Sequence, residues 1–512
     1  MSSVLDEVEV VEPAADILSV RAEAKPAFLL SLDVGTSGVR AALFDDHGNE
    51  IKGAQINSPR TLASFSDFGE LDADAIVEQV IETIDDLLTV SLAAAGSIKL
   101  ISISSFWHSL IGVDAAGRAT TPLLTWADTR AANIALELRT KFAEGRVHDR
   151  TGCRFHPSYW PAKLLWVKSE QPDTFARTEC WLGFAEYLCL RLFGEATASV
   201  SMASATGLLD QRSCDWDWSF VEALGITAKS LPVITAANGV TQLNESFALR
   251  WPLLAEARLV RVVGDGAANN VGGGCSTRDK AALMVGTSGA MRVVYRGDPP
   301  EALSPALWCY RVDRERVVVG GALSDGGGLY RWLTDSLAII DDPKDLEKKL
   351  SLLEADAHGL TVLPFWSGER STGWAPHARG GILGLTQETT PVEIIRAALE
   401  SIAYRFALIT RALDSVAPGF KVIATGNALR SSPTWLQIIS DVLGRPVIFG
   451  SAAEASMRGA ALLALEAVGK IGNIDEVSAP IDKLVEPDMK RHARYQQGLA
   501  RQEELYHRLL ER

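Results

Sequence analysis

The stretch Leu29–Phe44, LLSLDVGTSGVRAALF, has a counterpart at Lys280–Tyr295, KAALMVGTSGAMRVVY. Both contain Val-Gly-Thr-Ser-Gly, at Val34–Gly38 and Val285–Gly289, 251 residues apart in a chain of 512. Strand-forming residues enter and leave each copy, so each reads as a hairpin. Glycines on both sides of Thr-Ser permit positive-φ geometry and let backbone N–H groups approach an anion. For one copy alone, an ordinary turn is an equally good reading. Two copies at half the chain length point instead to two halves built on one plan, with two phosphate-holding turns closing on one ligand. The copies differ in one respect: Asp33 precedes the first and Met284 the second. Only the first can set a carboxylate beside phosphates, where Mg²⁺ and its waters would sit.

A chain of this length can bury two sizeable cores. Its 47% hydrophobic and 22% charged content are those of an ordinary globular enzyme. A net charge of −14 argues against a nucleic-acid-binding surface, which needs clustered Lys and Arg. The six cysteines form no C-x-x-C pair and no zinc-like spacing, so reduced thiols and a cytoplasmic location are expected. Residues 1–26 are acidic and read as a loosely ordered extension. No segment has the ~18 apolar residues of a membrane span.

Strands alternating with amphipathic helices indicate an α/β architecture. Helix-spaced apolar residues run through Asp74–Ala94, and buried strands are expected at Lys99–Ser104 and Leu259–Val263. A well-capped helix is expected over Pro391–Leu413, and a strand–turn–helix unit over Lys421–Leu443. The division falls near residue 258, giving domains 27–258 and 259–512 after the extension.

Four further segments carry candidate chemistry. Ser104–Ser109 ends a buried strand, so Trp107 and His108 would lie at the carboxyl edge of a sheet, where open α/β folds bind ligands. There His108 either donates to a substrate hydroxyl or is a satisfied structural histidine. In Trp126–Arg130, Asp128 either meets substrate or caps the next helix. In Val262–Asn270 an apolar strand delivers Asp265 between Gly264 and Gly266. The glycines would leave a substrate room to reach a lone carboxylate able to accept a proton from an alcohol; an N-cap role is the plainer alternative. Ala424–Ala428 could present Gly426 and Asn427 to a nucleotide, or be a plain turn. Neither a P-loop nor a G-x-G-x-x-G fingerprint occurs, so the Thr-Ser turns are the only phosphate-binding device available to ATP.

Together these motifs resemble the FGGY carbohydrate kinases of the actin/hexokinase-like ATPase fold, from about Phe28 to residue 480. LDVGTSGVRAALF and LMVGTSGAM look like that family's two phosphate motifs, GDGAANN like its catalytic-aspartate segment, and ATGNALRSSPTWLQIISDVLGRPV like its adenosine motif. Gly380–Leu385, followed by Glu393-Ile394 and Ala397–Glu400, matches a family signature. The resemblance implies two duplicated ribonuclease-H-like domains flanking a deep cleft, and phosphoryl transfer from Mg-ATP to a sugar hydroxyl. It implies Asp265 as general base and Asp33 near the metal. Thr36, Ser37, Arg40, Gly286 and Thr287 would hold phosphates, with Gly327, Gly426 and Asn427 along the nucleotide. Trp107, His108 and Asp128 would meet the sugar. Asn427 stands where the family often has glycine, and Gly266 where several members have Asn or Gln.

TWADTRAA, TGCRFHPSYWPAKLLW, SMASATGLLD and SGERSTGWAP look most similar to the gluconokinases of this family, which implies D-gluconate as substrate. Arg130, Arg154 and Arg370 are candidates for its carboxylate by charge alone. A xylulokinase-like or other pentulose, polyol or aldonate kinase is the alternative, with a catalytically silent sugar-binding protein or an actin-like filament further off. Small molecules, not nucleic acid or membrane, are the expected partners, and a homodimer is left open.

Overall fold

The computed structural model describes residues 27–60, 69–91, 98–235, 241–337, 343–450 and 454–510. The expected extension over 1–26 lies outside these residues, as do positions 92–94 of the expected first helix.

Two sheets carry the architecture. The first contains β1 (Leu29–Gly35), β2 (Gly38–Phe44), β3 (Glu50–Pro59), β4 (Leu100–Ser105), β5 (Thr241–Gln242) and β6 (Arg258–Gly264), in the spatial order β5-β6-β4-β1-β2-β3. The second contains β7 (Lys280–Val285), β8 (Gly289–Arg296), β9 (Trp308–Arg311), β10 (Arg316–Leu323), β11 (Lys421–Thr425), β12 (Val447–Gly450) and β13 (Ile481–Val485), ordered β9-β10-β8-β7-β11-β12-β13. Read from β3 and from β10, the two sheets show the same succession: two antiparallel pairings, two parallel ones, then an antiparallel edge. The duplication suggested by the pentapeptide thus extends to six strands in each half.

The central strands are buried on both faces, as parallel sheets covered by helices require. Helix α1 (Ala73–Val90) starts at Asp72, whose carboxylate accepts from the N–H groups of Asp74 and Ala75. Helix α2 (Asp265–Gly272) follows β6, and α3 (Gly327–Arg331) follows β10. Helix α4 (Pro391–Leu413) has the expected bounds and a reciprocal capping box between Thr390 and Glu393. Helices α5 (Asn427–Ser431) and α6 (Pro433–Leu443) follow β11, and α7 (Ala455–Ala467) and α8 (Met489–Leu510) come after β12.

In one respect the organisation departs from expectation. The strand expected to open the second half, β6, belongs to the first sheet, because β4 offers it a parallel edge: Val262 pairs with Ile103, Val263 with Ser104 and Gly264 with Ser105. The chain changes sheets only between Gly264 and Lys280. Helix α7 then returns from the second half to cover the first sheet, with Ser31 Oγ donating to the Met457 carbonyl at 2.8 Å. Its Gly459 crosses α2 at Gly272 so closely that a Cβ on either would lie 1.8 Å from the opposing helix's carbonyl oxygen. The halves therefore interlock.

Candidate active site

Between the sheets lies a cleft of about 1100 Å³. The first hairpin contributes Asp33, Thr36, Ser37 and Arg40 to its wall, and the second Gly286 and Thr287. Gly327, Gly426 and Asn427 line it from the second half, and Trp107, His108 and Asp265 from the first sheet's strand ends. Asp128 stands outside the lining, as do Arg130 and Arg154 among the arginines picked by charge.

The two pentapeptides close differently. The first is a two-residue hairpin, with Gly35 paired to Gly38 across Thr36-Ser37. Its carbonyls are tied back by Arg60, whose Nη1 donates to Gly35 and Thr36 and whose backbone N–H donates to Ser37. A Cβ on Gly38, at φ +153°, would lie 2.5 Å from the Ser58 carbonyl oxygen. The second pairs Val285 with Gly289 across three residues. Its carbonyls accept from the N–H groups of Gly326, Gly327 and Gly328. Each of these glycines approaches the turn within 3.0 Å of where its Cβ would stand. Gly426, at φ +109°, likewise lies against Val285, with 2.3 Å between a would-be Cβ and that residue's oxygen. Gly327 and Gly426 are thus demanded by backbone packing as well as facing the cleft.

Asp33 is buried, accepting from Ser104 Oγ at 2.9 Å and from Arg40 Nη1 at 3.2 Å. Burial pushes its pKa up to about 6; the Ser104 hydrogen bond opposes this, while the Asp265 carboxylate across the cleft adds to it. Arg40 also pairs with Glu454 at 3.3 Å.

Asp265 is the first residue of α2; the cap position is Gly264, and Asp265 Oδ1 accepts from the Gly266 N–H at 2.7 Å. Burial raises its pKa, opposed by Arg292, the Gly266 N–H and Arg370. The flanking glycines were expected to give a substrate room, but the indole of Trp107 takes that space: a Cβ on Gly264 would fall 1.8 Å from Trp107 Cε2, and one on Gly266 2.6 Å from Cζ3. Trp107 Nε1 donates to the Ser201 carbonyl, so the ring meets the cleft as an apolar surface.

His108 sits at φ +68°, a region that costs a non-glycine residue ~1–3 kcal/mol. Lys163 Nζ donates to its carbonyl at 2.6 Å. The ring's Nδ1 lies 2.8 Å from the Ala205 carbonyl, which can only accept, so Nδ1 carries the proton. Burial drives the imidazole pKa down to about 3. The neutral ring is left with Nε2 as an acceptor, so His108 would receive a hydrogen bond from a substrate hydroxyl rather than donate one.

Asp128 is held out of the cleft by Arg130, whose Nη2 reaches it at 2.6 Å while also pairing with Glu70. It caps no helix either: the helix Ala132–Lys141 has Ala131 at its cap position. Of the arginines picked by charge, Arg130 stays in this cluster and Arg154 pairs with Glu144; only Arg370 lines the cleft. Sequence reasoning missed Arg292, Tyr159, Tyr310, Trp308 and Trp374, all in the lining. The Tyr159 and Tyr310 hydroxyls meet at 2.6 Å, and Trp308 stacks on Tyr310 with 4.2 Å between ring centroids. The alternation around Arg292 on β8 was the one signal available for it. The signature Gly380–Leu385 lies outside the cleft lining: Gly381–Leu383 forms a short strand paired with Thr361–Leu363. Besides Arg40 Nε, which has only its ion pair with Glu454, three buried polar atoms of cleft residues, Asn269 Oδ1, Thr425 Oγ1 and Arg370 Nε, have no protein hydrogen-bond partner among the described residues. Such atoms suit a polar ligand.

A two-lobed α/β molecule with a phosphate-type turn on each side of its cleft has the architecture of the actin-like ATPases, and solved kinases share it. A gluconate kinase from Lactobacillus acidophilus superimposes with a TM-score of 0.86 at 27% identity, covering 94% of this chain and 98% of that one. Residues 28–272 match the N-terminal domain of the FGGY family of carbohydrate kinases and residues 281–468 its C-terminal domain. The chain belongs to that family, and is accordingly a phosphotransferase with an alcohol group as acceptor and ATP as donor. Among its relatives are the gluconokinase of Bacillus subtilis (strain 168), 30% identical over 88% of this chain and 90% of the relative, and the xylulose kinase of Escherichia coli (strain K12), 28% identical over 94% and 99%. No helix among the described residues is long and apolar enough to cross a membrane.

Proposed function

We propose that the enzyme transfers the ATP γ-phosphate to a hydroxyl of a sugar acid, D-gluconate, giving 6-phosphogluconate, with Asp265 as general base. The observation that carries this is the placement of Asp265: a carboxylate of raised pKa at a sheet edge, in a cleft bounded by both Thr-Ser turns and by two arginines. The names of the Bacillus subtilis and Lactobacillus acidophilus relatives favour gluconate. The sugar lies against the first lobe, on Trp107 and His108. The nucleotide lies against the second, along Gly286, Thr287, Gly327, Gly426 and Asn427. As the hydroxyl oxygen bonds to phosphorus, its proton passes to Asp265 and the γ-phosphoryl bond to ADP breaks.

The residues present fit Mg²⁺. Asp33, Thr36 and Ser37 form an all-oxygen donor set, and two mutually repelling carboxylates share the cleft. Asp33 would hold the ion, which when bound neutralises charge on the transferring phosphoryl group. Arg40, Thr36, Ser37 and Thr287 hold phosphate oxygens.

An ADP-release screen over gluconate, other aldonates, pentuloses and polyols tests the reading. Preference for gluconate is expected; preference for a neutral pentulose such as xylulose would overturn the substrate.

Lys163 offers a narrower test. Burial lowers its pKa to about 7, and its hydrogen bond opposes the strain at His108. Lys163→Met is expected to raise KM for the sugar about 10-fold, the worth of one hydrogen bond to a charged group, while leaving KM for ATP within twofold. An equal rise in both would mean that the cleft as a whole had loosened.

A further inference from the structure

Arg292 is buried in the cleft wall, yet its guanidinium's only hydrogen bonds among the described residues come from one nitrogen. Nη1 donates to the Gly266 carbonyl at 2.9 Å and to Asn270 Oδ1 at 3.3 Å, while Asn270 Nδ2 returns a bond to the Arg292 carbonyl at 3.0 Å. These contacts fix the guanidinium over the start of α2 and leave its remaining N–H groups without an acceptor among the described residues. Arg370 shares the cavity. It donates to the Leu323 carbonyl at 3.0 Å, stacks over Trp126 with 4.8 Å to the ring centroid, and keeps a buried Nε with no partner. No described carboxylate forms an ion pair with either arginine; Asp265 acts on both, and Asp325 on Arg370, only through the longer-range field.

Their surroundings explain why the pair needs an anion. Burial lowers the pKa of both guanidiniums, Arg292 to about 10, and Arg370 lowers Arg292 further. Both cations are buried and neither is ion-paired: Asp265, and for Arg370 also Asp325, act on them only from a distance, and an anionic ligand in direct contact would offset the cost of that burial. The spacing is also suitable. Ala290 and Arg292 both line the cleft from the same face of β8, with Arg292 two residues farther from the Thr287 turn, which is ~7 Å along a strand. A small side chain at Ala290 leaves that length open. An extended aldonate chain covers it, with its reactive hydroxyl toward the Thr287 turn and its carboxylate at Arg292.

We propose that Arg292, faced by Arg370, is the receptor for the substrate's carboxylate and the residue that selects a sugar acid over a neutral sugar. This rests on the sugar-acid reading of the function. A guanidinium fixed by Nη1 offers its other edge to a carboxylate, a geometry a lysine could not reproduce.

The test compares gluconate with gluconamide, its neutral isostere, in steady-state kinetics of the wild type, Arg292→Leu and Arg292→Lys. In the wild type kcat/KM should favour gluconate. Arg292→Leu should cut the gluconate-to-gluconamide ratio about 10- to 100-fold, the loss of a charge-assisted hydrogen bond, while turnover of gluconamide shows that the variant is folded. Arg292→Lys, which keeps the charge and the fold, should retain part of the ratio. Equal losses on both substrates in both variants would overturn the assignment and make Arg292 a support of Asp265 alone, with the sugar-acid reading intact. A wild type that prefers a neutral sugar would instead overturn that reading, and the receptor with it.

Discussion

Asp265→Asn is expected to lower kcat by about 10²–10⁴-fold, the contribution of general base catalysis, with ATP affinity unchanged. The substitution preserves shape: an asparagine at the first position of α2 can still accept from the Gly266 N–H through its amide oxygen. It removes the lone pair that takes the hydroxyl proton, together with one of the two negative charges that face each other across the cleft. Losing that repulsion should ease anion binding, so calorimetry ought to find Mg-ATP bound at least as tightly as in the wild type. Near-normal kcat with the true substrate would remove Asp265 from the base role. Weakened ATP binding would show that it serves the nucleotide instead.

Gly459→Ala is expected to destabilise the enzyme by ~2 kcal/mol, read as a lower unfolding midpoint in denaturant with an unchanged slope. Two effects compete. An alanine inside a helix gains about 1 kcal/mol over glycine. Against that, its Cβ would stand 1.8 Å from the Ala268 carbonyl oxygen and 2.8 Å from the Gly272 nitrogen. Both are backbone atoms, which cannot rotate aside, so α2 and α7 must separate at a cost of ~3 kcal/mol, the upper range for overpacking. The steric term wins. Since α2 begins at Asp265, activity should fall before the fold is lost; a more stable variant would mean that the helices part freely.

Much of this was legible because it was local. The pentapeptides, the capped helix Pro391–Leu413, and Asp265 at the end of an apolar strand each declare themselves within a dozen residues. What escaped depends on remote contacts. Nothing near Gly264 says that Trp107, more than a hundred positions away, fills the space beside it. Arg292 looks like any charged residue in an alternating strand until α2 is laid over it. Strand β6 reads as the start of something new, although its partner, β4, was completed long before. The acceptor role of His108 needed the Ala205 carbonyl to reveal it, and Asp128 left the site because Arg130 and Glu70 claimed it.

The unequal closure of the two identical pentapeptides carries a lesson about descent. If one ancestral half was copied, the copies parted company without changing these letters. Divergence was written into their neighbours, Arg60 for one and the run Gly326–Gly328 for the other. Transplanting either pentapeptide into the place of its twin would alter no atom, so its meaning is not portable. The heritable difference lies in the company each keeps, and an engineer wishing to interchange the two ends of this clamp would have to move Arg60 and the glycine run instead.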